Sequence, residues 1–110
     1  MRKYPKPRHK PGEMNGTEKR YADLLESQKV AGELVSYKFE RVKFKLAKKT
    51  FYTPDFYVVF EDRIEIHEVK GYWMDDARVK IKVAAEMFPE FVWKAFRWKN
   101  KKVGFIEEVF

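Results

Sequence analysis

Asp55, Glu68 and Lys70 are the residues whose types and spacing can do chemistry. They lie in the stretch TPDFYVVFEDRIEIHEVKG, which reads as two strands, 55–60 and 63–69, joined at Glu61-Asp62 and ended by Gly71. Residues two apart in an extended chain share a face. Along 63–70 the even positions Ile64, Ile66, Glu68 and Lys70 therefore form an apolar stripe that turns ionic at its C-terminal end. Hairpin register decides whether Asp55 joins them. A two-residue loop at Glu61-Asp62 pairs Phe60 with Arg63 and sets Asp55 opposite Glu68. A loop at Asp62-Arg63 sets it opposite Lys70 on the same face, and an odd-length loop sends it to the other side.

Two carboxylates that face each other repel, and burying them uncompensated costs several kcal/mol. A divalent metal resolves the conflict. Mg²⁺ takes oxygen ligands in octahedral geometry, commonly one or two carboxylates with water and substrate phosphate in the other positions. Such an ion activates bound water and stabilises an in-line phosphoryl transition state. In this arrangement Asp55 and Glu68 are candidate metal ligands, with the Val69 backbone carbonyl between them, and Lys70 can orient the attacking water or offset developing negative charge. Glu18 precedes Tyr21, Ala22 and Leu25 by three, four and seven positions, so it lies on the apolar stripe of its helix and can reach the cluster. It also stands three residues after Asn15, the spacing of a capping box, which is its competing role. Asp55 after Pro54 can be an ordinary strand-entry residue, and Glu68 with Lys70 a solvated pair. His67 has the opposite parity to Glu68 and reads as structural.

The elements that must position these groups follow from periodicity. NGTEKRYADLLESQKVAG places Tyr21, Ala22 and Leu25 on one face with Leu24 beside them, which predicts a helix over 17–30, started by Asn15 or Thr17 and ended by Gly32. In LVSYKFERVKFKLA, Val35, Tyr37 and Phe39 alternate with polar residues, as do Val42, Phe44 and Leu46, predicting one or two half-buried strands bent near Glu40 and Arg41. Positions 56–60 are apolar on both parities, as in a central strand covered on both faces. A second helix is expected over 75–87, with Ala77, Ile81, Ala84, Ala85 and Phe88 as its apolar stripe and Pro89 as its stop. FVWKAFRW reads as a strand, and VGFIEEVF as a strand or helix that pattern alone leaves open. Helix, strands, helix, strand implies an α/β fold: a mixed central sheet flanked by helices.

Composition bounds the reading. The 110 residues fit one domain, and 45% hydrophobic with 17% aromatic content suffices for a core without staples. The absence of cysteine excludes disulfides, thiolate catalysis and Cys-containing zinc sites, and with His9 and His67 as the only histidines a His-rich cage is excluded too. No apolar run approaches the ~20 residues of a membrane span, and no signal-peptide pattern follows the basic N-terminus, so the expectation is a soluble, cytoplasmic protein without membrane association. The net charge of +7 points to a polyanionic partner. Five of those charges, Arg2, Lys3, Lys6, Arg8 and Lys10, sit in residues 1–12, a proline-rich arm with no acid, leaving +2 for a single domain over 13–110. The arm reads either as a solubilising tail or as a phosphate-contacting segment through Lys3, Lys6, Arg8 and Lys10. Arg78, Lys80 and Lys82 on the second helix are further candidates for nucleic-acid contact, against a plain solvated face.

Pro54-Asp55, then Glu68-Val69-Lys70, with Glu18 in the first helix, resemble the motif of the PD-(D/E)XK nuclease superfamily. The element order is similar to that superfamily's restriction-endonuclease-like αβββαβ core, so the likeness covers residues 15–100. The TPDF and EVKG strings and the Lys80-Ile81-Lys82 helix look like small phage-type endonucleases and archaeal Holliday-junction resolvases. The resemblance implies Mg²⁺-dependent hydrolysis of DNA phosphodiester bonds, with Mn²⁺ able to substitute. Asp55 and Glu68 would be the metal ligands, Lys70 would act on water or the scissile phosphate, and Glu18 would be an additional acid. Action on branched DNA implies a homodimer, because a junction has two strands to cut symmetrically. The alternative is a non-catalytic nucleic-acid-binding module in which the acidic cluster is incidental.

Overall fold

The computed structural model describes residues 12–72 and 75–110, apart from the side chain of Asp75. The arm residues Lys3, Lys6, Arg8 and Lys10 lie outside the described residues. Among the described residues nine elements follow in order: α1 (Gly16–Val30), β1 (Ser36–Phe39), β2 (Phe44–Ala47), β3 (Thr50–Tyr52), β4 (Phe56–Val59), β5 (Ile64–Lys70), α2 (Asp75–Met87), β6 (Val92–Asn100) and β7 (Gly104–Val109). Five strands form one sheet in the order β1-β4-β5-β6-β7, and β2 with β3 make a separate two-stranded ribbon. β1, β4 and β5 pair antiparallel, β5 and β6 parallel, and β6 and β7 antiparallel. The architecture is α/β with a mixed central sheet and two helices. α2 supplies the crossover that a parallel β5–β6 pair requires.

α1 begins where Asn15 accepts a hydrogen bond from the Glu18 backbone N–H at 2.8 Å while the Glu18 carboxylate accepts one from the Asn15 N–H at 2.9 Å. It ends at Ala31, followed by Gly32 at φ 81°, a left-handed conformation that glycine adopts without steric cost. Its buried stripe of Tyr21 and Leu25 packs with Phe56, Val58 and Val69 on one face of the sheet. Leu24, expected beside that stripe, is 39% exposed. On the other face Ile81 and Ala84 of α2 meet Ile66, Trp93 and Ala95, and Phe44 and Tyr52 of the ribbon complete this layer. Of the apolar stripe read for α2, Ile81, Ala84, Ala85 and Phe88 pack in this layer.

The segment 35–46 forms two strands, but they belong to different sheets. Between them Glu40 takes φ 48°, which breaks the extended run at the expected bend. β2 turns back through Lys48 and Lys49, the latter at φ 57°, to pair with β3. No glycine, proline or asparagine marks that turn, which is why pattern reading passes over β3. The C-terminal segment is a strand, β7, paired along β6 from Lys94↔Val109 to Asn100↔Gly104. Strand β5 is covered on both faces: Ile66 and Glu68 are buried toward α2, and Glu65, His67 and Val69 toward α1. No helix among the described residues is long and apolar enough to cross a membrane.

Candidate active site at the end of the central strands

The β4–β5 hairpin has a two-residue loop. Phe60 N–H donates to the Arg63 carbonyl at 2.9 Å, and the ladder runs Val59↔Ile64, Val58↔Glu65, Tyr57↔Ile66 and Phe56↔His67. Continued by one residue, this register sets Asp55 opposite Glu68. Side-chain contacts bear that out: the Val69 N–H donates to Asp55 Oδ2 at 2.7 Å, and the Asp55 N–H donates to Glu68 Oε1 at 3.3 Å. Lys70 Nζ lies 3.0 Å from Glu68 Oε2. Asp55 and Glu68 are buried, and Lys70 is half-buried at the edge of the cluster.

Burial and the adjacent Glu68 charge push the Asp55 carboxyl well above the ordinary carboxylate value, with Glu18 adding to the rise. The Val69 amide and the Lys70 charge oppose this without cancelling it. For Lys70, burial works against the charged form, but the Glu68, Asp55 and Glu18 carboxylates outweigh it and hold the amine above its usual value. Lys70 is thus an ammonium at neutral pH. Glu18 is buried, holds its capping box, and lies near enough for its charge to be felt at both Asp55 and Lys70. Capping and proximity to the cluster are compatible because the first turn of α1 stands over the same end of the sheet. Among the described residues no three His, Asp or Glu side chains are placed to form a metal cage by themselves.

Sequence reasoning missed Tyr52. Its hydroxyl donates to Glu68 Oε1 at 2.8 Å from within the core. Burial and the Glu68 charge hold its pKa far above the ordinary tyrosine value, so it remains a donor. Tyr52 arrives on β3, and recognising it needed the unmarked turn at Lys48-Lys49. The available signal was its position three residues before Asp55, in YTPD. Tyr72, 72% exposed, stands just beyond Lys70.

The opposite face of β5 carries a second polar group. Glu65 accepts from Arg63 Nε at 2.6 Å, lies 3.3 Å from Lys94 Nζ, and pairs with His67 Nε2 at 2.8 Å. Burial would raise Glu65, but its bonds to His67 and Arg63 bring it down to about 2. Glu65 is therefore ionised, and an ionised carboxylate can only accept, so Nε2 of His67 carries the proton. Burial lowers the His67 pKa, keeping the ring neutral, and its Nδ1 accepts from the Tyr21 hydroxyl at 2.8 Å. The chain Tyr21, His67, Glu65 is a satisfied core network tying α1 to β5. His67 faces α1, on the side of β5 opposite Glu68, as its parity indicated.

Of the helix cations, Arg78 makes a two-pronged contact with Glu108 at 2.6 and 2.9 Å, while Lys80 and Lys82 are exposed. Trp93, in the aromatic and basic stretch of β6, is core at 1% exposure, and Lys94 is held between Glu65 and Glu107. Comparison with known proteins finds no matching family model, no matching curated protein and no matching solved structure.

Proposed function

We propose that this chain is a metal-dependent endonuclease that hydrolyses DNA phosphodiester bonds, with branched DNA such as a Holliday junction as its substrate. One observation carries the reading: the two-residue hairpin loop brings Asp55 and Glu68, two buried and mutually repelling carboxylates, against Lys70 at one end of the sheet. Glu65 is a buried carboxylate offset by cations; Asp55 is left with burial and a like charge outweighing its partners. A divalent cation bound between the two carboxylates would offset that imbalance.

The donor set fits Mg²⁺, with Mn²⁺ able to substitute. Asp55, Glu68 and the Val69 carbonyl are hard oxygen donors and too few to close a cage, leaving positions for water and phosphate. When bound, the ion supplies Lewis-acid activation of water and neutralises charge on the phosphate. The chain's own residues do the rest. Tyr52 fixes one oxygen of Glu68, and the Val69 amide fixes one of Asp55, so both carboxylates are pre-oriented. Lys70, held as an ammonium, donates to the attacking oxygen or to a phosphate oxygen and is not the general base. Glu18 is an additional acid at the rim. The element order α1, β1, β4, β5, α2, β6, with β2 and β3 as an inserted ribbon, supports the restriction-endonuclease-like αβββαβ reading. A homodimer would give the two cuts that junction resolution requires.

The experiment is a cleavage panel of linear duplex, single strand, flap and four-way junction with Mg²⁺, Mn²⁺ or EDTA. The expected result is metal-dependent cutting of the junction, reduced at least ~100-fold in Asp55→Asn, Glu68→Gln and Lys70→Ala with binding retained. Full activity in all three variants overturns the site. No cutting of any substrate favours the binding-module alternative.

A further inference from the structure

β6 is longer than its partner. Its last pairing with β5 is Arg97 beside Lys70, yet it runs on through Trp98 and Lys99 to Asn100 and returns as β7 from Gly104. The β6–β7 hairpin therefore projects past the central strands by about 10 Å, three residues at the rise of a strand. Because β5 and β6 are parallel, it projects at the end where Asp55, Glu68 and Lys70 lie. Arg97, adjacent to Lys70 in register, shares the face of that cluster.

From that last pairing outward the segment is basic and contains no acid: Arg97 at the base and Lys99, Lys101 and Lys102 beyond it fall within six residues. Residues 99–103 are exposed, and among the described residues none of these four cations forms an ion pair. By contrast Lys94, lower on β6, is held between two glutamates, and Arg78 of α2 is paired with Glu108. The tip is also shaped in advance. Asn100 Oδ1 accepts from the Val103 N–H at 2.8 Å, Gly104 takes φ 81°, and a bulge between Trp98 and Asn100 bends the arm. Arg20 of α1 lies over the Trp98 ring at 4.1 Å, and Phe105 packs on it edge-on at 5.1 Å, bracing the base of the arm.

We infer that the β6–β7 hairpin is a duplex-DNA clamp: a braced basic ribbon that lies along the phosphate backbone beside the cleavage site and sets the distance from the gripped duplex to the scissile bond. The inference rests on the DNA reading above and adds which element holds the substrate and in which form. A double-stranded occupant is indicated because binding of single strands relies on stacking of bases on exposed aromatics. The tip, residues 99–103, has none.

The test measures equilibrium binding in EDTA, so that it is independent of cleavage. The triple variant Lys99→Gln, Lys101→Gln, Lys102→Gln is compared with the unaltered chain on duplex DNA, single-stranded DNA and duplex RNA of one sequence across a salt series. The expected result is duplex-DNA affinity at least ~10-fold weaker near 0.1 M salt, with the slope of log affinity against log salt smaller by about 2 to 3. Single-strand binding is expected to change less. An unchanged slope on duplex DNA overturns the clamp, as does an equal loss on single strands or on duplex RNA, which would make the tip a general polyanion contact. Failure of the nuclease reading looks different: the hairpin variant loses duplex binding, but no substrate is cut by the unaltered protein with metal.

Discussion

Asp55 of the candidate site opposes folding. Its carboxyl titrates above the ordinary value of 3.8, so between that value and its native one the unfolded chain has released a proton that the native chain still holds. Stability therefore falls as pH rises through that window, and the deficit persists at neutral pH. Asp55→Asn keeps an oxygen to accept from Val69 and removes the charge. The expected outcome in EDTA at neutral pH is a variant stabilised by about 1 kcal/mol, some ~4–8 °C in Tm. Mg²⁺ should raise the melting temperature of the unaltered protein by mass action and that of the variant much less. Calorimetry with and without Mg²⁺ checks both, and a variant that melts lower in EDTA contradicts the account. Glu65 is the contrasting residue: equally buried, but saturated with Arg63, His67 and Lys94. Two buried carboxylates, Asp55 and Glu65, thus differ through their partners. Sequence reasoning separated them only in part, because parity placed Asp55 with Glu68 while one of the cations that reach Glu65, Lys94, comes from another strand.

At the scale of elements, the seam between α1 and β5 is the Tyr21, His67, Glu65 network. Burial depresses His67, so below its unfolded value of 6.5 the unfolded chain takes up a proton that the native ring refuses. The native state is then penalised increasingly as pH falls from 6.5. Glu65, held at about 2, adds a further loss between its ordinary 4.5 and that value. The groups facing His67 from its neighbours are Tyr21 on α1, Lys94 on β6 and Glu107 on β7, with Glu65 on its own strand. The expected outcome is a melting temperature that declines from pH 6.5 downward, with His67→Gln flattening the upper part of that decline. Thermal melts at a series of pH values decide it, and parallel curves for the two proteins would contradict it. The alternation on β5 was legible, but its meaning was not. Ile64, Ile66, Glu68 and Lys70 read as the inward set, whereas the structure buries both parities, because α1 covers the side that holds His67 and Val69. Periodicity records which residues share a face and is silent on whether a second layer lies over the other one.

Across the whole molecule, charge is divided by location. Five bases fall in residues 1–12, five in 41–49 and four in the β6–β7 hairpin segment 97–102, while Asp55 and Glu68 lie on the sheet between the helices. If the arm contacts phosphate, deleting residues 2–11 removes those five bases while Gly12 keeps its hydrogen bond to Glu40 at 2.7 Å. The expected outcome is weaker binding to DNA with a salt slope smaller by up to about 4, and an unchanged maximal cleavage rate at saturating substrate. An unaltered slope would assign the arm to solubility. The overall class was readable from the order of periodic segments, since the β5–α2–β6 crossover follows from two strands separated by a helix. The ribbon was not readable, because its turn at Lys48-Lys49 lacks any turn-forming residue and its strands are only four and three residues long.

Strand β5 places the proposed reacting groups and the packing network on alternate residues of a single run, from Glu65 to Lys70. Losing or gaining one residue within it would exchange the two sets, sending His67 toward α2 and Glu68 toward α1. A lineage carrying this domain can therefore change the site by substitution, one side chain at a time. Length changes are left to the segments outside the ladder, such as Lys48-Lys49 and 101–103. The spacing from Glu65 to Lys70 is thereby constrained, while the chemistry mounted on it is open to revision.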